Sequence, residues 1–295
     1  MELRVLEYFL ALSQEGSISA AAKTLNVSQP TLSRQLIDLE NELGCILFER
    51  GKQGITLTED GMLLRRRAGE ISQLVHTTES ELQLSHDNIA GTIHIGCGET
   101  QAMKLLTRVM KDVQEKYPQV VFDVVTDTAE HVAEKINKGL LDFGLMLRRT
   151  KTEGLEYLTL PHEEKTIVLL PKDSPLAEKD VLTLDDLIGV PLLVPATHRE
   201  SGMLGGLEGK DEGGVLSVVA QFNFAYNAVQ MVEEGLGVAV TLDSLTSTMQ
   251  SSLLVTRPLQ QSISINSYLA WKPFQFRSNA CKIFLERAQT MFGNV

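Results

Sequence analysis

Ser28, Gln29, Thr31, Ser33 and Arg34 crowd hydroxyl, amide and guanidinium side chains into one short stretch of the chain. These are the groups that contact base edges in a DNA groove and the oxygens of the phosphate backbone. A helix face that merely meets water more often carries Glu and Lys. A second set of reactive side chains lies further on. Cys97 closes a short apolar run just before Gly98, Glu99 and Thr100, and a thiol near a helix N-terminus becomes nucleophilic when its pKa falls. His94, His162 and His198 are the bases with which it would pair. No spacing supports that pair, and no P-loop, GxSxG or HExxH signature occurs. A Cys97-based enzyme therefore stands only as an alternative, and the simpler reading of Cys97 is a small side chain closing a strand. Arg148, His198 and Arg199 suit a carboxylate or phosphate ligand.

The elements that must carry the first group are legible. Ile18, Ala22 and Leu25 are spaced four then three, the apolar stripe of a helix, with Ser17 placed to cap it. Asn26 tolerates the left-handed conformation that a tight turn requires. Ser28 can cap the next helix, Pro30 fits its first turn, and Leu32, Leu36, Leu39 and Leu43 run along one buried face. Leu47, Phe48 and Arg50, then Gly51, Lys52 and Gly54, then Ile55, Leu57 and Gly61 describe a small β-hairpin with a basic tip. An ordinary pair of amphipathic helices would share the stripes, but not the short polar face or the hairpin.

The segment AAAKTLNVSQPTLSRQLIDLENELGCILFER followed by LTEDG closely resembles the winged helix-turn-helix of the LysR-type transcriptional regulators. The resemblance implies that Ser28, Gln29, Thr31, Ser33 and Arg34 sit in or beside the major groove of double-stranded promoter DNA. It places Arg50 and Lys52 at the wing, near the backbone or minor groove. RNA polymerase is the further partner that such a regulator implies.

Composition agrees with this reading. A chain of 295 residues, 43% hydrophobic and 22% charged, suits two or three folded domains. Cys45, Cys97 and Cys281 have no metal-ligand spacing, so free thiols in a reducing compartment are expected, with no metal and no cofactor. The N-terminal MELRVLEYFL is neither a signal peptide nor a membrane anchor, and a cytoplasmic location is expected. The net charge of −11 is unusual for a DNA binder. Residues 1–69 carry eight Lys/Arg against nine Asp/Glu, with Asp38, Glu40 and Glu42 on the half of the second helix away from its base-reading end. Modest affinity per subunit and reliance on dimerisation follow.

From Glu59 onward Leu64, Ala68, Ile71, Val75, Thr78, Leu82 and Ser85 keep a four–three repeat, a coiled-coil seam through which two subunits can pair. A helix buried against its own domain would show the same pattern; the need to read two half-sites favours a dimer or a dimer of dimers. Arg65, Arg66 and Arg67 form a solvated or phosphate-facing patch at its start.

Beyond Asn88 short strands alternate with helices. Strands are expected at 92–97, 120–125, 142–147, 166–170, 191–194, 215–222, 237–241 and 264–271, and helices near 100–115, 129–138, 183–188, 224–234 and 277–291. That order gives an α/β fold with a largely parallel sheet. The phrases GLLDFGLML, LTLDDLIGVPLLVP and EEGLGVAV resemble the effector-binding domain of the same family, a two-lobed, Rossmann-like domain similar to periplasmic solute-binding proteins. Thr241, Leu242 and Asp243 stand where Leu-Pro often follows the GLGVAV strand. The expected organisation is an all-α winged helix-turn-helix at 1–58, a linker and dimerisation helix at 59–88, and a periplasmic-binding-protein-like domain at 91–295. Its first lobe would span about 91–160 and 266–295, and its second about 161–265. A small-molecule effector, anionic by the nearby Arg and His, is expected between the lobes, where strands end and helices begin. Gly98, Thr100, Thr128, Met146, Arg148, His198, Ser201 and Asn223 are its expected contacts. Peroxide-sensing relatives use a pair of cysteines in the second lobe, and no cysteine lies between Cys97 and Cys281. A small-molecule-binding protein without DNA recognition is the remaining alternative; one serving transport would need export, for which the chain has no signal.

Overall fold

The structure, a computed structural model, describes residues 1–51, 54–83, 89–197, 216–243, 251–260, 262–273 and 278–293, with the backbone alone at 50, 76, 77 and 80–83. The chain forms two compact units, Met1–Ser85 and His86–Val295. No helix among the described residues is long and apolar enough to cross a membrane.

The first unit runs α1 (Leu3–Glu15), α2 (Ile18–Thr24), α3 (Gln29–Leu43), β1 (Phe48–Gly51), β2 (Gly54–Leu57) and α4 (Glu59–Gln83). Phe9 and Leu12 of α1, Ala21 of α2, Leu32, Leu36 and Leu39 of α3 and Leu47 are buried together in its core. Leu43, expected on the same stripe, is 40% exposed, because the helix ends there and Gly44 turns the chain away in the left-handed conformation (φ 69°). Asn26 makes the turn between α2 and α3 with φ 55°. β1 and β2 pair antiparallel as a hairpin. The Ile55 N–H donates to the Gly16 carbonyl at 2.9 Å, tying this hairpin to the α1–α2 corner. A side chain at Gly54 would meet that carbonyl at 2.8 Å, so the approach requires glycine.

The second unit runs β3 (Gly91–Cys97), α5 (Met103–Lys116), β4 (Val120–Thr126), α6 (Ala129–Asn137), β5 (Phe143–Met146), β6 (Glu156–Pro171), β7 (Pro191–Pro195), β8 (Ser217–Phe222), α7 (Ala225–Glu233), β9 (Val238–Leu242), β10 (Leu254–Pro258), β11 (Ser264–Trp271) and α8 (Asn279–Phe292). Among the described residues the sheet order is β4-β3-β5-β11-β6-β9-β7-β8, with β10 paired to β6. Two parallel triplets, β4-β3-β5 and β9-β7-β8, are joined by β11 and β6, which run antiparallel to each other and to their neighbours. The sheet is therefore mixed where a largely parallel one is expected from sequence, because two strands must carry the chain between lobes in opposite directions.

β6 is the longer of those carriers. Its residues 156–160 pair with 271–267 of β11, Pro161 and His162 are left over, and pairing resumes at Glu163 opposite Asn266. Pro161 has no N–H to lose in such a bulge. The end of β6 then pairs with β9 and β10. The helix expected at 183–188 is a single 3-10 turn, Asp185–Leu187, ended by the left-handed Gly189.

Each lobe has its own core. In the first, Ile93, Ile95, Leu106, Val109 and Phe143 pack around Phe284, whose ring centroid lies 4.9 Å from that of Phe143. In the second, Val168, Leu170, Leu192, Val194 and Val240 cover one face of the sheet, and Leu169, Leu193, Val229 and Val232 the other. β5, between β3 and β11, is buried at every position, as an interior strand covered on both faces must be.

Candidate functional site

In the first unit, the polar face at the start of α3 is assembled by its cap. Ser28 takes the extended N-cap conformation, and its Oγ accepts from the Thr31 N–H at 3.3 Å and lies 2.7 Å from Thr31 Oγ1. Gln29, Thr31 and Arg34 are exposed and Ser33 is half-buried. Glu40, at the far end of α3, is used internally: its Oε1 accepts from the Leu47 N–H at 2.7 Å, fixing the entry to the hairpin. Arg50 faces Ile55 in the hairpin register, but its side chain lies outside the described residues, as does Lys52.

The second unit contains a cavity of about 580 Å³ between its lobes, a size suited to a small organic molecule. Of the expected contacts, Gly98, Thr128, Met146, Arg148 and Asn223 line it. His198 and Ser201, with the neighbouring Arg199, lie outside the described residues. Thr100 is absent from the wall, because its hydroxyl donates to the fully buried Glu164 at 2.7 Å. Residues not expected from sequence complete the wall: Glu99, Asp127, Arg149, Phe222, Phe224, Ile265 and Tyr268 among them. Thr241 and Leu242, where the chain departs from the usual Leu-Pro, line it too.

The two arginines of the wall are differently placed. Arg148 Nη2 is paired with Glu130 Oε1 at 2.5 Å. Arg149 instead lies over the rings of Tyr268 and Tyr157, its Cζ 5.2 Å and 5.6 Å from their centroids.

Helix N-termini attract anions, and the protein's own carboxylates already serve three of them, of which those of α6 and α7 lie in the cavity wall. Glu164 Oε1 accepts from the Gln101 N–H at 3.2 Å just before α5, and from His162 Nε2 at 3.1 Å if that nitrogen carries the proton. Asp127 Oδ1 accepts from the Thr128 N–H at 2.8 Å before α6. Glu99 Oε2 accepts from the Ala225 N–H at 2.5 Å at the start of α7. Burial alone would raise the Asp127 pKa. Hydrogen bonds from Lys135 Nζ (2.9 Å), the Thr128 N–H and His131 Nδ1 (3.0 Å) more than offset it, and hold the carboxyl below its usual value.

Cys97 is 6% exposed, and burial pushes its thiol pKa up against a smaller opposing effect of the Thr126 side chain. That is the reverse of an activated nucleophile. Gly96 and Gly144, paired in register, form a floor on which Val132 of α6 rests: a Cβ built on either would lie 2.7 Å from Val132 Cγ1. Gly96 thus serves close packing, and the helix after it begins at Met103 rather than near residue 100.

A helix-turn-helix with a hairpin wing, joined to a two-lobed α/β domain with a cavity between its lobes, defines the class of DNA-binding regulators. Residues 3–62 match the model for the bacterial regulatory helix-turn-helix protein, lysR family, and residues 86–293 that for the LysR substrate binding domain. The chain belongs to the LysR family and is a DNA-binding transcriptional regulator. It is 30% identical to the Hca operon transcriptional activator HcaR of Escherichia coli (strain K12), over 100% of this chain and 99% of that one. It is 28% identical to the uncharacterized HTH-type transcriptional regulator YvbU of Bacillus subtilis (strain 168), over 99% of each. The fold is similar to that of CbnR, a LysR family transcriptional regulator (TM-score 0.76, 19% identity, 99% of each chain). It is also similar to full-length CbnR complexed with its target DNA (TM-score 0.75, 20% identity, 98% of this chain and 99% of that one).

Proposed function

We propose that this regulator binds spaced promoter half-sites as a dimer or dimer of dimers, and that a small carboxylate- or phosphate-bearing effector between its lobes sets the outcome. The observation that carries the effector reading is the interlobe cavity with Arg148 and Arg149 in its wall. Its aromatic side, Phe222, Phe224 and Tyr268, suits a flat or apolar body attached to that charge. Ser28, Gln29, Thr31, Ser33 and Arg34 are the groove contacts in this reading, with Arg50 and Lys52 at the wing. Pairing through α4 is supported by the apolar groups its later turns leave accessible: Leu74 is 45% exposed and Ile71 and Val75 are half-buried, whereas of the expected seam Ala68 is buried and Leu64 packs on the core of the first unit. Regulation without catalysis, a cytoplasmic location, RNA polymerase as a partner and the 1–58, 59–88 and 91–295 division belong to the same proposal.

Effector binding would shift the population of lobe arrangements and so the geometry of the paired DNA-binding units. Fluorescence anisotropy with DNA from upstream of the regulator's own gene tests the first half; no sequence preference at moderate salt rejects it. Calorimetry with a panel of small carboxylates, phosphates, amines and neutral analogues tests the second. Binding of neutral or cationic compounds only rejects the anionic effector.

A further inference from the structure

Of the three carboxylates that serve helix N-termini in the second unit among the described residues, Glu99 joins the first lobe to a helix of the second. Asp127 and α6 both belong to the first lobe, and Glu164 sits on the strand that crosses between them. Glu99 follows β3 of the first lobe, whereas α7, whose first N–H it accepts, follows β8 of the second. α7 has no side-chain cap of its own, since its N-cap residue is Phe224. An uncapped helix start leaves N–H groups in need of an acceptor; here the acceptor comes from 126 positions away in sequence.

The base from which Glu99 reaches is fixed. On one side the Gly98 N–H donates to the Leu145 carbonyl at 3.1 Å, and on the other Thr100 Oγ1 and the Gln101 N–H donate to Glu164. Beneath it the lobes are joined by β6 and β11, with the Pro161–His162 bulge interrupting their pairing. A side chain held rigidly on one lobe and bonded to a helix on the other restrains any bending at that junction.

We propose that Glu99 is an interlobe latch: its carboxylate, bound to the N-terminus of α7, holds the two lobes together. Glu99 and Ala225 both line the cavity, so a ligand entering at that side must share this hydrogen bond or replace it. The latch gives the effector reading a mechanism, but its test needs no effector, so either idea can fail without the other.

The test uses the full chain as wild type, Glu99→Ala and Glu99→Gln. Amide exchange is followed over the start of α7, and an interlobe distance is measured by electron–electron resonance. Spin labels are placed on Glu134→Cys and Gln230→Cys, both exposed positions, in a Cys45→Ser background diluted with unlabelled protein. A charge-assisted bond of this kind is worth on the order of tenfold in the opening equilibrium. First-turn amides of α7 should therefore exchange about tenfold faster in Glu99→Ala, and by a smaller factor in Glu99→Gln, which keeps an acceptor without the charge. The label distance should lengthen or broaden in the same order. Unchanged exchange in β5 and α5 certifies the fold, and if Glu99→Ala does not fold, Glu99→Gln carries the comparison. Faster exchange with an unchanged distance would make Glu99 a helix cap and overturn the latch. Unchanged exchange in both variants would overturn the contact itself.

Discussion

A guanidinium stacked on an aromatic face keeps its in-plane N–H edge available for a carboxylate. Arg149 is so placed over Tyr268, and has no carboxylate within ion-pair distance among the described residues, whereas Arg148 already holds Glu130. For an anionic effector identified by calorimetry, Arg149→Ala should weaken binding tenfold or more, and Arg149→Lys should recover only part, because a lysine cannot stack and bind bidentately. Equal binding by all three would remove Arg149 from the site. In α3 the roles separate similarly. Gln29→Ala and Arg34→Ala should each cost about 1–3 kcal/mol of specific DNA affinity if they read bases, measured as anisotropy against a scrambled site. Ser28→Ala should instead cost about 1 kcal/mol of stability through its cap, read by urea titration. The α3 face is legible in sequence because its cap, turn and stripe are all local, although Ser17, expected to cap α2, makes no side-chain cap hydrogen bond. Thr100 is not, since nothing near it in the chain announces that Glu164, 64 positions away, takes its hydroxyl. Arg149 is missed for the same reason: its two tyrosine platforms come from β6 and β11.

Between elements, the closest dependence is that of α6 on the sheet. Gly96→Ala would push a methyl group to 2.7 Å from Val132 Cγ1 and Leu141 Cδ1, and overpacking of this kind costs about 1–3 kcal/mol. Val132→Ala removes one of the two obstacles, so the double variant should be less destabilised than the sum of the single changes by about 1 kcal/mol. Additive effects in urea titrations would show that the glycine floor does not set the packing of α6. The same helix carries a pH signature. Asp127 binds its proton less readily in the folded protein than in the unfolded chain. Its contribution to stability is therefore present above the unfolded carboxyl value of about 4 and is lost as pH falls through the lower folded value. The thermal-midpoint advantage of wild type over Asp127→Asn at pH 7 should shrink as pH falls below about 4; an advantage at pH 3 as large as at pH 7 would contradict this. Strands with strong β-branched runs, such as β3 and β4, are legible from residue pattern alone. β10 and the first half of β6 are not, because their alternation is diluted by Glu156, Thr159, Thr256 and Arg257 and becomes a strand only through pairing with β11 or the end of β6.

The charge of the chain divides unevenly. Residues 1–69 are about neutral, so nearly all of the net −11 lies beyond them. DNA affinity arises mainly from counterions released where Lys and Arg neutralise phosphates. Each copy offers Arg34, Arg50 and Lys52 at or beside the proposed contact face, which gives a slope of log K against log salt of about −3 for one copy and about −5 for two. A single copy would be a weak binder at moderate salt, and pairing through α4 would supply the rest. Val75 lies half-buried on that helix, and Val75→Glu would set two like charges facing each other across a paired seam. Wild type should therefore sediment as a dimer or larger and show the steeper slope between 50 and 200 mM salt. Val75→Glu should shift toward monomer and toward the shallower slope, with melting of the first unit unchanged. A steep slope retained by a protein that sediments as a monomer would mean that one copy contacts twice as many phosphates as Arg34, Arg50 and Lys52 account for, and the two-copy reading of DNA binding would fall.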